Sequence, residues 1–82
     1  MTSFKNVDTD DFEEIKKGLK KLFKITSYPT DDQSIIETFD IISIGSKFSV
    51  IYYKTGTLLI QGDESLEDFQ LSVRFIEFSI ES

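Results

Sequence analysis

Two adjacent aspartate pairs, Asp10-Asp11 and Asp31-Asp32, are the residues closest in type to a divalent-metal site. A two-metal centre needs acids converging from several strand ends. Each pair has a simpler use: Asp10-Asp11 stands where a helix dipole favours anions, and Asp31-Asp32 falls in a polar loop. Glu37 and Asp40 lie on opposite faces of the strand that carries them and do not converge. Serine and threonine nucleophiles have no imidazole partner, because the chain holds no His and no Cys. The same absence removes thiolate chemistry, Cys/His zinc sites and His-ligated haem. No G-x-S-x-G elbow occurs, and Gly45-Ser46-Lys47 lacks both the preceding glycine and the following helix of a phosphate loop. These residues point away from an enzyme: no catalytic residue, metal ligand, cofactor or small-molecule substrate site is assigned.

The other candidate chemistry is electrostatic. Lys16, Lys17, Lys20, Lys21 and Lys24 form the one concentrated run of cations in a chain with nine basic and fifteen acidic residues, net charge −6. They read either as complements of a helix dipole and as solubilising charge, or as a patch for an anionic partner. The segment 31–82 carries only Lys47, Lys54 and Arg74 against ten acids. Duplex DNA presents about one charge per ~1.7 Å of axis, so indiscriminate nucleic-acid binding is disfavoured. Tyr52 and Tyr53 beside Lys54 resemble a stacking platform for single strands, but adjacent strand residues point to opposite faces, and only one tyrosine can serve a given surface.

These groups must be positioned by a single small core. Eighty-two residues at 9.4 kDa make one domain, 1–82, which surface scaling expects to expose about 5,000 Å² when folded. Phe12, Ile15, Leu19, Leu22 and Phe23 follow a helical stripe, capped by Thr9 or Asp8, and predict a helix over about 9–25 that ends before Pro29. Gly18, beside the stripe, permits close packing against another element. Thr26–Gln33 reads as a loop. From Ser34 the period changes to two. Strands over about 34–44, 47–53 and 57–61, with turns at Gly45-Ser46 and Lys54-Thr55-Gly56, predict an antiparallel meander over about 34–62. Leu66, Phe69, Val73, Ile76 and Ile80 predict a C-terminal helix over about 64–80, opened by a capping box at Ser65-Leu66-Glu67-Asp68. Residues 71–80 also alternate tolerably as a strand. The fold class is α+β. Apolar side chains occupy both faces of the central hairpin, and helices packed on one side leave the other for a partner.

The stretch Phe48–Gly62 resembles the hairpin of small TATA-binding-protein-like domains, as in the N-terminal substrate-binding domain of type HIII ribonuclease H and the domains at the front of RNase LS-type toxins. Tyr53, Thr55, Gly56, Gln61 and Gly62 match the tyrosine, the x-Ser/Thr-Gly turn and the Gln-Gly that follows a short apolar strand. Thr57 stands where the ribonuclease pattern carries a lysine, which removes a cation from a backbone-contacting position. The ribonuclease's catalytic part has no counterpart here. The resemblance implies a curved sheet covered by helices on its convex side, with nucleic-acid binding on the open side.

The leading expectation is a non-catalytic binding module that engages a protein partner, or its own copy as a homodimer, through an exposed sheet face. Its residues are Phe48, Val50, Tyr52, Tyr53, Lys54, Leu59 and Gln61, and the lysine row is a second, anion-binding patch. The alternatives are binding of single-stranded or hybrid nucleic acid and an acidic, antitoxin-like inhibitor. No stretch is apolar enough for a targeting or membrane-spanning segment. With no cysteine, the expected location is the reducing cytoplasm.

Overall fold

A computed structural model describes residues 1–81. Its elements are β1 (Thr2–Phe4), α1 (Thr9–Leu22), β2 (Lys24–Tyr28), β3 (Ile35–Ser43), β4 (Ser46–Tyr53), β5 (Leu58–Gln61) and α2 (Glu67–Glu81). The strands form one curved, fully antiparallel sheet in the order β1-β5-β4-β3-β2. The α+β class, the two helices and the central meander are as the sequence predicts. The accessible surface is 5288 Å².

The first helix forms where its charges and caps favour it. Asp8 is the N-cap, its carboxylate accepting the Asp11 N–H at 2.8 Å. Asp10 and Asp11 lie in the first turn and Lys20 and Lys21 in the last, each complementing the dipole. Phe12, Ile15 and Leu19 are its buried stripe. The helix stops at Leu22 rather than near residue 25, and Phe23 is already extended at φ −138°. Lys24–Tyr28, expected to be a helix end and a loop, instead lies along β3, with Ile25 opposite Ile41 and Tyr28 opposite Thr38. Sheet pairing outweighs the remaining helical turn here, because Ile25 and Thr26 favour extended backbone.

Two turns set the meander's register. The β3–β4 loop is Ile44-Gly45, closed by the Ser43–Ser46 pair, with Gly45 at φ +76°. The turn expected at Gly45-Ser46 is therefore displaced by one residue. Between β4 and β5 the loop is Lys54-Thr55-Gly56: the Tyr53 N–H donates to Thr57 O at 2.9 Å, and the Gly56 N–H donates to Tyr53 O at 3.0 Å. Gly56 sits at φ +90°, as a three-residue hairpin loop requires. Its carbonyl accepts the Val7 N–H at 2.9 Å, which ties this turn to the segment entering α1.

Both helices cover one side of the sheet. Phe39, Ile41, Phe48, Val50, Tyr52, Leu58 and Ile60 pack against Phe12, Ile15 and Leu19 of α1 and Phe69 and Ile76 of α2 in a single core. Phe12 stacks on Tyr52 at a centroid distance of 4.2 Å, and Phe48 tilts onto Phe69 at 5.4 Å. The helices meet at Gly18, where an added Cβ would lie 2.1 Å from the Phe75 Cζ. The small residue is what permits this crossing. The expected capping box of α2 is not formed. Asp68 instead accepts the Ser43 hydroxyl at 2.5 Å, while Asp63 accepts both N–H and O–H of Ser65 at 2.9 and 2.6 Å.

The candidate binding face

The side of the sheet opposite the helices is built by strand alternation. Residues that alternate with the buried Phe39, Ile41, Phe48, Val50, Leu58 and Ile60 point away from the core. The pairing register then defines rows across the strands. One row runs Ser3, Leu59, Ile51, Thr38 and Tyr28, and so crosses all five. Beside it Tyr53 stands opposite Ile35. A second row is Gln61, Ser49, Asp40 and Thr26, and a third is Lys47, Ile42 and Lys24. The face is therefore banded: apolar, then polar, then cationic around one isoleucine.

Irregular backbone sharpens the apolar band. The register shifts between Ile35 and Glu37, leaving Ile36 as a bulge residue. Bulges re-aim the side chains next to them. Here the shift brings Ile35 opposite Tyr53 while Glu37 stays opposite Tyr52 on the helix side. Within the band Thr38 is buried, its hydroxyl donating to Tyr28 O at 2.8 Å. Leu59, Ile51 and Tyr53 are half-buried by their neighbours, and Tyr28 is 41% exposed. In the polar band the Ser49 hydroxyl donates to one Asp40 oxygen at 2.7 Å, and Lys47 Nζ stands 3.8 Å from the other. Asp40 thus uses up the nearest cation on this face.

The expected site residues divide between the two sides. Tyr53, Leu59 and Gln61 are on the open face. Phe48, Val50 and Tyr52 are not: at 2%, 0% and 2% exposure they lie beneath the helices and present nothing to a partner. The physical reason is the period of two, which puts Tyr52 with Phe48 and Val50 and leaves Tyr53 with Ile51. The Tyr52 hydroxyl is also committed, donating to Val7 O at 2.5 Å. Lys54 sits in the β4–β5 turn beside Asn6, Asp8 and Thr9, at the start of α1. Ile51, Tyr28, Ile35 and Thr38 complete the face and were not among the expected residues. Ile51 was accessible from the alternation once Tyr52 was assigned inward, whereas Tyr28 depends on a strand the pattern did not suggest.

The lysine row is also dispersed. Lys16 pairs with Glu37 and is three-quarters shielded, and Lys17 lies 4.0 Å from Glu14. Lys16, Lys17 and Lys20 share a shallow hollow with Glu13, and Lys21 lines a different groove, between the helices. Lys24 belongs to β2 on the far side of the sheet. The five cations do not make one patch because only four are on the helix, at spacings that spread them around its outer half. Among the described residues no group of three or more acids is close enough to hold a metal ion. No helix among them is long and apolar enough to cross a membrane.

This arrangement, a two-helix layer over one side of an antiparallel sheet with the other side uncovered, defines a small α+β domain. A family model described as "RNase LS, bacterial toxin" matches residues 1–80, and the chain belongs to that family. No curated protein and no solved structure matches the chain.

Proposed function

We propose that the domain is a non-catalytic binding module that engages a protein partner through the open sheet face. The observation that carries this reading is the apolar band of Leu59, Ile51, Ile35 and Tyr53, continued to Tyr28, on a face that no helix covers. Its form suits a protein surface: an apolar strip with aromatic residues, flanked by hydrogen-bonding Gln61, Ser49 and Thr26. A phosphate backbone is a poorer match, because Lys24 and Lys47 stand apart at one end and Lys47 is already beside Asp40. The lack of a histidine, and of any acid cluster among the described residues, supports the non-catalytic part.

Membership in a toxin family supplies the context. A protein that neutralises a toxin is one partner this face could take, and a further segment of such a toxin is another. The family is that of a toxin, so the chain's own role as an inhibitor is not carried further. The likeness to TATA-binding-protein-like domains and a cytoplasmic location belong to this same reading.

The test compares the wild-type chain with Ile51→Glu as baits in native lysate, with and without nuclease. A protein retained by wild type, insensitive to nuclease and lost with Ile51→Glu is the expected result. The reading fails if the two baits retain the same proteins. It also fails if the wild-type chain binds single-stranded or hybrid oligonucleotides with an affinity that falls steeply with salt.

A further inference from the structure

The helical layer carries its own unpartnered surface, distinct from the sheet face. On α2 the outward side includes Leu71 and Phe78, which are 52% and 74% exposed. Phe78 lies in a groove of about 450 Å³ between the helices, together with Phe75 and with Asp11, Glu14, Lys17 and Lys21 of α1. A phenylalanine three-quarters in water that shares a groove with charged side chains is a suitable anchor for an interface.

The charges of that frame are ordered. Along α1 the groove runs Asp11, Glu14, Lys17, Lys21: two acids, then two bases. Glu14 and Lys17, and likewise Asp11 and Lys21, are placed nearly symmetrically about a point between residues 15 and 16. β1 and β2 run in the same direction in the sheet and β5 in the opposite one, so α1, which crosses between β1 and β2, and α2, which follows β5, are antiparallel. Gly18 lies against Phe75, which sets residue 78, about one turn on, across from about residue 15. Phe78 is therefore level with that same point. A two-fold axis there turns the acidic half of one groove onto the basic half of another and brings Phe78 onto its own counterpart. An isologous interface requires such self-complementarity of one patch.

We propose that the α1/α2 face is a self-association surface, its occupant a second copy of this chain packed antiparallel. Phe78 meets Phe78 of the other copy, Glu14 faces Lys17, and Asp11 faces Lys21. Gly18 has a part in this as well, since its missing side chain lets α2 lie close enough to α1 for Phe78 to share a groove with the α1 charges. The patch is neutral although the chain carries −6, so local attraction is not opposed at the contact itself. Helices of fourteen and fifteen residues are ~21–23 Å long at 1.5 Å per residue. Side by side they offer a contact near the lower end of specific interfaces, so the association is weak and concentration-dependent.

Sedimentation equilibrium of the 82-residue chain, from micromolar to millimolar, tests this. Wild type is expected to shift from monomer to dimer across the range, and Phe78→Asp to weaken association by at least about tenfold. Phe78 is largely solvated, so circular dichroism of that variant should match wild type. Lys17→Glu/Lys21→Glu and Asp11→Lys/Glu14→Lys should each be monomeric alone and form a heterodimer when mixed, since all four charges then face opposites. Ile51→Glu, on the other side of the sheet, should associate as wild type does. A wild-type chain that stays monomeric at millimolar concentration overturns the proposal. So does a dimer that survives Phe78→Asp, a mixture of charge variants that fails to pair, or a dimer abolished by Ile51→Glu.

Discussion

Tyr52 and Tyr53 are consecutive residues of one strand with opposite lives. Tyr52 is in the core, stacked on Phe12 and hydrogen-bonded to Val7 O. Tyr53 faces out, opposite Ile35, in the band proposed for a partner. The whole sheet repeats this contrast. On the helix side apolar side chains are nearly inaccessible and their value is stability. On the bare side residues of the same kinds are only half covered, and the proposed role of their remaining area is recognition. Hydrophobicity alone does not separate the two roles; the side of the sheet does.

Truncations break this comparison most sharply. Phe48→Ala removes a core ring packed on Phe69 and is expected to cost about 3–5 kcal/mol in chemical denaturation, enough to unfold much of a domain this small. Leu59→Ala, one strand over on the bare side, is expected to cost less than half as much, because its surroundings are already partly solvent. Equal losses would show that the open face is covered in solution.

A finer probe is the hydroxyl alone. Tyr52→Phe leaves the Phe12 stacking surface but orphans the buried Val7 carbonyl, an expected loss of about 1–2 kcal/mol. Tyr53→Phe should change stability by no more than about 0.5 kcal/mol. Paired melts of the two variants read the difference directly, and a reversal would exchange the faces assigned here.

The smallest expected effect lies outside the sheet, in two matching turns. The Asp32 carboxyl is held below its ordinary 3.8 by the hydroxyl and then the N–H of Ser34. Asp63 is lowered in the same way by Ser65. With the folded values depressed, the unfolded chain binds protons first. The stabilisation is therefore complete above the ordinary carboxylate value and disappears as pH falls through the folded ones. Carboxyl-carbon NMR titration should place both midpoints below 3.8, and Ser34→Ala or Ser65→Ala should raise the midpoint of its own neighbour only.

How legible all this was depended on how many side chains each element commits to the core. The amphipathic stripe of α1, its N-terminal cap and the long alternation of β3 and β4 are realised close to where the pattern puts them. β1 and β2 are not repeated signals. Thr2–Phe4 is three residues long, and Lys24–Tyr28 sends only Ile25 toward the core. Their extended state comes from pairing, β1 with the distant β5 and β2 with the neighbouring β3, which no period within either segment records. The open face suffered from the same limit. Tyr53, Leu59 and Gln61 follow from alternation, but Tyr28 needed β2, and Ile35 reaches Tyr53 only through the bulge at Ile36. Phe48, Val50 and Tyr52 were misplaced because a strand apolar on both sides carries no mark of which side the helices will take.

The position of β1 has a kinetic consequence. Among the described residues its only sheet neighbour is β5, with Thr2 aligned on Ile60, so this strand has no ladder to join until the chain through β5 has been made. The local β2–β3–β4 hairpins can assemble early, whereas closing this long loop carries a larger entropy cost and waits for the rest. Until then β5 exposes a naked edge, and the nascent domain is most open to mispairing just before β1 docks on it.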